Sequence, residues 1–237
     1  MPRLPSELDA RTAHDGFLPF CRDLIVEHGF RRVCEIGGGR NPLFAVAEVR
    51  ELGLHYIVLD VSASELEHAP DDFEKVVGDI CRIDERTISD IDFVFSHMVA
   101  EHVSDGAAMH RQIFRILRPG GMAAHLFPTL FSPVFVANRL LPDRLVDPIS
   151  RRLYPTKKRF PARYSKCFGP TRGMHRMLRE IGYEVVAYRP FYGTGYFERW
   201  PILGRIERSI STVGAPRRNP YLTSYVWLVV RKPGRGR

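Results

Sequence analysis

Short apolar runs alternate with longer amphipathic stretches over the first half of the chain. The runs are rich in valine, isoleucine and phenylalanine and have no polar face, which is typical of parallel strands buried on both sides. They predict strands at about 33–36, 55–60, 75–77, 91–96 and 122–127. The stretches between them have apolar residues at helical spacing and predict helices at about 6–29, 42–52 and 105–117. This alternation favours an α/β fold with a doubly wound, mostly parallel sheet.

The alternation is interrupted at residues 128–170 by a proline-rich segment, apolar in its first half and basic in its second. We interpret this segment as an insertion after the fifth strand that forms a lid over a site. The pattern then resumes and predicts, in order, a helix at about 171–181, a strand at 183–188, a helix at 202–210 and a strand at 222–231. The basic residues 231–237 are predicted to form a disordered tail.

Composition narrows the classes of protein to consider. The chain has 237 residues, 44% of them hydrophobic, which is enough for a sizeable core. Its start lacks the apolar run of a secretory signal, and its four cysteines are scattered with no Cys-x-x-Cys pair. We therefore expect a cytoplasmic protein with neither disulfides nor a metal site.

The formal net charge is +8, and basic residues dominate from Arg111 onward. Such a charge fits a nucleic acid or an anionic membrane as partner. An ordinary solvated surface explains it equally well, so charge alone leaves the partner open.

Polar residues follow four of the predicted strands at their carboxyl ends, where ligands bind in doubly wound sheets. The first strand ends at Glu35-Ile36 and runs into Gly37-Gly38-Gly39, a turn that lets a ligand touch the backbone. The carboxylate of Glu35 disfavours a pyrophosphate and suits a cation or sugar hydroxyls. The next three strands end at Asp60, Asp79 and Ser96-His97. One strand-end acid is more often a helix cap, but three behind a glycine turn indicate a ligand site.

The ordered set of segments resembles the class I S-adenosylmethionine-dependent methyltransferases, in particular their broad small-molecule group. The resemblance covers residues 30–127 and depends on the segments 33–39, 58–61, 77–80, 93–96, 101–103 and 116–121. It implies a single methyltransferase domain over residues 1–237 and a Rossmann-like sheet of seven strands with the last strand antiparallel. It also implies S-adenosylmethionine as the cofactor. The chain departs from the family pattern at Arg40-Asn41-Pro42, where a further glycine or small residue is usual.

The resemblance assigns roles to the glycine turn and to the second strand end. Gly37, Gly38 and Gly39 would line the amino-acid part of the cofactor. Glu35 would lie near the cationic end of the cofactor, directly or through water. Asp60 would accept hydrogen bonds from the two ribose hydroxyls.

The resemblance assigns further roles beyond these two strand ends. Val61 would pack on the adenine, and Asp79 would accept a hydrogen bond from the adenine amino group, with Ile80 beside it. Ser96 and His97 would line the floor near the methionine portion. Acids at these positions suit a cofactor that carries a sulfonium and an ammonium cation.

Methyl transfer to a hydroxyl group needs a base near the transferred methyl group. His97 and His102 both follow the fourth strand and are the candidates, although a structural role is the stronger interpretation of His102. The Asn/Asp-Pro-Pro-Tyr/Phe motif of amino-methylating nucleic-acid enzymes of this fold is absent from that strand end. We therefore expect O-methylation of a small-molecule, sugar or lipid-linked acceptor rather than of a nucleic acid. The alternatives are an RNA-directed methyltransferase and a non-catalytic cofactor-binding scaffold.

The insertion bears on the acceptor and on partners. Its apolar first part is too short to span a bilayer, and basic residues follow it. An apolar patch beside basic residues predicts peripheral membrane contact through residues 130–159 and a glycolipid acceptor. A lid that closes over the pocket, or a contact in a homodimer, explains the same pattern.

Overall fold

The computed structural model describes residues 9–140, 162–195, 201–214 and 219–234. Within these residues one sheet contains seven strands: β1 Arg32–Ile36, β2 His55–Asp60, β3 Glu74–Val77, β4 Ile91–His97, β5 Leu117–Pro128, β6 Glu184–Phe191 and β7 Tyr225–Arg231. Their order across the sheet is β3-β2-β1-β4-β5-β7-β6. Neighbouring strands are parallel except for β7, which is antiparallel to both β5 and β6. The predicted Rossmann-like sheet of seven strands, with the last antiparallel, is confirmed.

Helices connect the strands. Those described are α1 Ala10–Asp15, α2 Phe17–His28, α3 Val46–Glu51, α4 Ala63–Leu66, α5 Gly106–Ile116, α6 Pro133–Leu140, α7 Arg172–Ile181, α8 Pro201–Gly214 and a 3-10 helix at Pro220–Leu222. The alternation of helices and strands predicted through β5 is present. None of the helices in the described ranges is both long and apolar enough to pass through a lipid bilayer.

The hydrophobic core lies on both faces of the central strands. Val33, Ile57, Phe93 and Phe95 have no exposed surface, as expected for the near-continuous apolar runs of parallel strands. Each such side chain contributes roughly 1.5–3 kcal/mol when it is fully buried. The rigid central sheet therefore fixes the positions of the residues that follow its strand ends.

The single helix predicted over 6–29 is wrong in one respect, because α1 and α2 are separate helices that meet at Gly16. A Cβ atom on Gly16 would lie 2.8 Å from the carbonyl oxygen of Thr12 and 3.2 Å from the ring of Trp227. The Trp227 indole also donates a hydrogen bond of 2.9 Å to the carbonyl oxygen of Ala13. Close packing of this ring against α1 is the physical reason for the break.

Helix α3 begins later than the residue 42 that the sequence predicts. The backbone amide of Leu43 donates to both oxygens of Glu35, at 3.1 and 3.0 Å, so the chain wraps over that carboxylate before the helix begins. The helix then begins at Val46, with the Glu48 carboxylate accepting from the amide of Ala45. A long-range contact has thus displaced the start of this helix.

Strand β5 begins at Leu117 rather than at the predicted residue 122. Its pairing with β4 shifts between Ile91 and Phe93, so residues 118–121 form a bulge in the strand rather than a separate turn. The tail predicted over 231–237 also begins too early. Arg231 is the last residue of β7, and the Lys232 ammonium group donates to the carbonyl of Leu117 at 2.6 Å. The final residues 235–237 lie outside the described residues.

The predicted insertion over 128–170 is described at its two ends. Helix α6 follows β5, and residues 162–170 return to the edge of the sheet. We call residues 162–168 the strap. The amides of Arg163 and Tyr164 donate to the carbonyl oxygen of Glu101 at 2.7 and 2.8 Å. The middle of the insertion, residues 141–161, lies outside the described residues, and its role as a lid stays a prediction.

Candidate active site

The carboxyl ends of β1, β2, β3 and β4 meet at one edge of the sheet. Ile36 pairs with Leu59 on one side and with Ser96 on the other, and Asp60 pairs with Val77. Because these strands are parallel and in register, the residues that follow them lie side by side. We call this the carboxyl edge.

The glycine turn lies close against its neighbours along the carboxyl edge. Gly37 has a φ angle of 78°, and a Cβ atom on it would lie 2.5 Å from a methyl group of Val99. Gly39 has a φ angle of 48°, and a Cβ atom there would lie 3.3 Å from a carboxylate oxygen of Asp60. Both conformation and space therefore require glycine at these two positions. The turn presents backbone rather than side chains to a ligand.

Asp60 lies next to this turn at the end of β2. One of its oxygens accepts a hydrogen bond of 2.9 Å from the amide of Ser62, and the other is the oxygen that faces Gly39. The structure thus brings Asp60 and the glycine turn together, as the sequence predicts. A carboxylate held by a single backbone bond keeps acceptor capacity for a ligand.

The residues predicted to surround an adenine differ in their exposure to solvent. The Val61 side chain is 70% exposed beside the end of β2, whereas Ile80 is buried after β3. One oxygen of Asp79 accepts from the amide of Cys81 at 2.9 Å, and the other lies 4.0 Å from the Arg82 guanidinium. Val61 and Asp79 are accessible to a ligand at this end of the carboxyl edge.

Glu35 is buried beneath the glycine turn. Its carboxylate accepts a hydrogen bond from the Tyr56 hydroxyl at 2.5 Å in addition to the Leu43 amide. A Cβ atom on Gly38 would lie 2.9 Å from the Glu35 carboxyl carbon. Burial raises the pKa of Glu35 to about 7. In this structure the carboxyl group supports the turn from below, through contacts within the protein.

Ser96 does not lie open at the carboxyl edge. It is fully buried, and its hydroxyl lies 2.8 Å from Nδ1 of His125 on the neighbouring strand. His125 in turn packs edge-to-face on His110 of α5, with ring centroids 5.5 Å apart. His110 is buried as well. Ser96 is therefore paired with the residue that precedes the glycine turn, while its hydroxyl is engaged by His125.

His97 ends β4 and is paired with a second histidine. Its Nε2 atom lies 3.3 Å from Nδ1 of His14 in α1, and the Phe17 ring packs near it with a centroid distance of 5.9 Å. Burial first, and then the neighbouring His14, lower the pKa of His97 to about 4. The imidazole is thus uncharged at neutral pH and can accept a proton.

Aromatic side chains extend from this histidine pair toward the insertion. The His14 ring meets Tyr225 at a centroid distance of 4.9 Å, and Tyr225 meets Phe135 of α6 at 5.3 Å. Phe135 lies 6.1 Å from the ring of Tyr164 in the strap. We call Tyr225, Phe135 and Tyr164 the apolar wall, which is connected to the candidate base through the ring of His14.

Glu101 is a further acid near this wall that the sequence does not single out. It is 3% exposed, and its Oε2 atom has no hydrogen-bond partner among the described residues. Its Oε1 atom lies 3.8 Å from Nε2 of His102. Burial raises the pKa of Glu101 to about 8, so the group is mostly protonated at neutral pH. Such a costly buried carboxyl is typical of a functional site.

Two residues of this region carry no local sequence signal. His14 is 83 positions from its partner His97, and Tyr225 comes from the last strand. Their contribution follows only from the packing of α1 and β7 against β4. For Glu101, the position shortly after the fourth strand was the signal in the sequence that could have identified it.

Two cavities among the described residues lie away from the carboxyl edge. A cavity of about 670 Å³ is lined by Glu85, Phe114, Lys232 and neighbouring residues at the opposite ends of the strands. None of the predicted site residues lines it. The chemistry of the carboxyl edge, rather than cavity volume, therefore identifies the candidate site.

Comparison with known proteins gives an independent view of this edge. Residues 34–125 match the model of a family described as a methyltransferase domain. This range contains the glycine turn, all three strand-end acids and His97. No curated protein sequence matches the chain.

Solved structures with the same fold include an S-adenosylmethionine-dependent methyltransferase from Mesorhizobium loti. It is 17% identical, with a TM-score of 0.55, and 90% of this chain and 96% of that chain are covered. The [4+2]-cyclase SpnF is 16% identical, with a TM-score of 0.60 and coverage of 98% and 85%. Phosphoethanolamine N-methyltransferase 2 from Haemonchus contortus, solved with S-adenosyl-L-methionine, is 16% identical, with a TM-score of 0.50 and coverage of 90% and 52%. At these identities the likeness shows the fold alone, and the three proteins are two methyltransferases and a cyclase.

Proposed function

We propose that this chain is a class I S-adenosylmethionine-dependent methyltransferase and that it methylates a hydroxyl oxygen of a small-molecule, sugar or lipid-linked acceptor. Its cofactor is S-adenosylmethionine. The observation that carries the proposal is the half-buried, uncharged imidazole of His97 at the end of β4, close to the glycine turn. A hydroxyl acceptor must lose a proton during methyl transfer, and a neutral imidazole can take it.

The residues at the carboxyl edge fit the cofactor. The side-chain-free turn at Gly37–Gly39 offers backbone to its amino-acid part, and Asp60 has acceptor capacity for the ribose hydroxyls. Asp79 and the exposed Val61 would hold the adenine. When bound, the cofactor supplies an electrophilic methyl group on a positively charged sulfur.

His97 is the proposed base, and His14 is its positioning partner. For Nδ1 of His97 to accept a proton, Nε2 must carry the hydrogen and donate to Nδ1 of His14, which selects one tautomer of His97. His97 would take the proton that the acceptor hydroxyl loses as its oxygen bonds to the methyl carbon, while the bond from that carbon to the cofactor's sulfur breaks and leaves a neutral thioether. The wall of Tyr225, Phe135 and Tyr164 excludes water and favours an acceptor with an apolar part.

Isothermal titration calorimetry of the full chain with S-adenosylmethionine tests the cofactor half of the proposal. We expect saturable binding at one site, and the absence of binding would exclude both the methyltransferase and the cofactor-binding scaffold. Transfer of a labelled methyl group to a panel of hydroxyl and amine acceptors tests the other half. Turnover of hydroxyl acceptors that depends on His97 supports O-methylation. Turnover of amines alone would contradict O-methylation. Salt-sensitive turnover of RNA would contradict it as well and would favour the RNA-directed alternative.

A further inference from the structure

Helix α8 presents an unusual face to the rest of the protein. Gly204 and Ser211 are its described buried residues. The Glu207 carboxylate is directed inward, where it accepts a hydrogen bond of 2.6 Å from the amide of Thr194 and another from the Thr194 hydroxyl. The described inner side of α8 is therefore small and polar.

The aliphatic side chains of α8 that the structure describes are exposed. Ile202 is 74% exposed and Ile206, one helical turn further on, is 53% exposed. Val213 is 54% exposed near the end of the helix. Surface helices normally turn their aliphatic stripe toward the core and their polar stripe toward water. The exposed side chains of Ile202, Ile206 and Val213 depart from this pattern and offer an apolar surface to an environment outside the molecule.

The charge around the two isoleucines has one sign. Arg205 is exposed between them in sequence, and the one acid of α8, Glu207, is turned toward Thr194. The sequence continues with Arg217-Arg218, and the whole chain carries a formal net charge of +8. Aliphatic side chains next to arginine, without an outward acid among the described side chains of the helix, match an anionic lipid surface.

We propose that α8 docks this protein on an anionic bilayer, with Ile202 and Ile206 inserted at the level of the headgroups and Arg205 beside their phosphates. A second copy of the chain fits this face less well. A twofold contact would bring the same arginine-bearing surface together with itself, and the described outward side chains offer no acid to balance it. This surface is separate from the segment 130–159 that the sequence suggests, and it does not depend on the proposed methyl transfer.

Vesicle sedimentation with the full chain tests the proposal. We expect at least tenfold tighter binding to vesicles of phosphatidylcholine with phosphatidylglycerol than to phosphatidylcholine alone, and weaker binding as salt is added. The double variant I202S/I206S should lower the affinity at least tenfold without changing charge. Arg205→Gln should lower it separately. Val186→Ser, at an aliphatic residue 46% exposed on β6, is the matched control and should bind as the unchanged protein does.

Three outcomes would overturn the proposal. The first is that I202S/I206S binds anionic vesicles as well as the unchanged protein. The second is loss of binding on Leu140→Ser alone, which would move the membrane contact to α6, where Leu140 is 75% exposed. The third is a dimer in analytical ultracentrifugation that I202S/I206S abolishes while vesicles are not bound. Because the substituted residues are exposed, thermal melting should show all variants folded.

Discussion

Among single residues, Asp60 is the one on which we expect cofactor affinity to depend most. One of its carboxylate oxygens is tied to Ser62 and the other faces the glycine turn. Asp60→Ala should weaken binding of S-adenosylmethionine by roughly 10- to 100-fold, because hydrogen bonds to a charged group are worth about 1.5–3 kcal/mol. Calorimetry measures this, with Asp71→Ala as an exposed control that should bind normally. Unchanged affinity of Asp60→Ala would remove the residue from the site.

At His97 we expect an effect on turnover rather than on cofactor binding. His97→Ala should lower kcat by about 10²- to 10⁴-fold, the usual contribution of a general base. His14→Ala should lower it less, since His14 acts through His97. Because the pKa of His97 is about 4, the rate of the unchanged protein should be flat from neutral pH down to about pH 5. A kcat of His97→Ala equal to that of the unchanged protein would exclude this base.

Glu101 should make the protein less stable as the pH rises. Its pKa is about 8 in the folded state and near 4.5 when unfolded, so between these pH values the folded protein retains a proton that the unfolded chain has released. Glu101→Gln should therefore gain stability over the unchanged protein by up to about 1.4 kcal/mol per pH unit between pH 5 and 8. Urea unfolding at several pH values measures the difference. A difference that is constant with pH would mean that Glu101 is ionised or solvated in the folded protein.

The sequence alone predicted the positions of some of these site residues, but it could not predict the contacts that others make with distant parts of the chain. Asp60 and Asp79 follow buried strands, so a local pattern was enough to place them at one edge. The partner of His97 could not be predicted, because His14 is distant in sequence and only the packing of α1 brings it near. Likewise, nothing in the neighbourhood of Ser96 indicates that its hydroxyl is bound to His125.

At the level of elements, the glycine turn after β1 should tolerate almost no change. Gly37→Ala would place a methyl group 2.5 Å from Val99 at a positive φ angle. We expect it to destabilise the protein by roughly 1–3 kcal/mol and to weaken cofactor binding. In Gly173→Ala the new methyl group meets no atom within 4 Å in helix α7, and stability should rise by up to about 1 kcal/mol. Thermal melting compares the two, and a Gly37→Ala protein that melts and binds normally would contradict this account of the turn.

Helices and strands could be predicted where the hydrophobic pattern of their own residues determines the structure. The central strands are buried on both faces, so their apolar runs identify them without knowledge of the fold. Boundaries were missed where a distant group intervenes: Glu35 delays the start of α3, and Trp227 separates α1 from α2. Helix α8 differs from these examples. The sequence predicted the helix, but it did not predict that Ile202 and Ile206 are exposed.

At the level of the whole molecule, two buried histidines should make folding sensitive to acid. Burial lowers the pKa of His110 to about 4 and that of His125 well below its usual value. His110 Nδ1 and His125 Nε2 have no hydrogen-bond partner among the described residues. Below about pH 6.5 these two histidines bind protons in the unfolded chain but stay uncharged in the folded protein. These two groups therefore reduce stability as the pH falls from about 6.5 toward 4.

The measurable quantity is the stability of His110→Leu relative to the unchanged protein. Glu35 and Glu101 titrate in the opposite sense, and the comparison cancels them because both proteins contain them. The relative stability of His110→Leu should rise by up to about 1.4 kcal/mol for each pH unit below 6.5. His68→Gln, at an exposed histidine, serves as the control and should show no such trend. Parallel pH profiles for His110→Leu and the unchanged protein would show that His110 is protonated in the folded state.

The hydrogen bond from Trp227 to Ala13 spans 214 positions of the chain. It fastens α1, and with it His14, to the final strand of the sheet. On the ribosome, β1 to β4 emerge long before Trp227 does, so the cofactor-binding edge can assemble while synthesis continues. The neighbour that orients His97 arrives only after β7 has been made. Under the proposed mechanism, nascent chains would therefore complete the candidate cofactor edge before His14 reaches the proposed base.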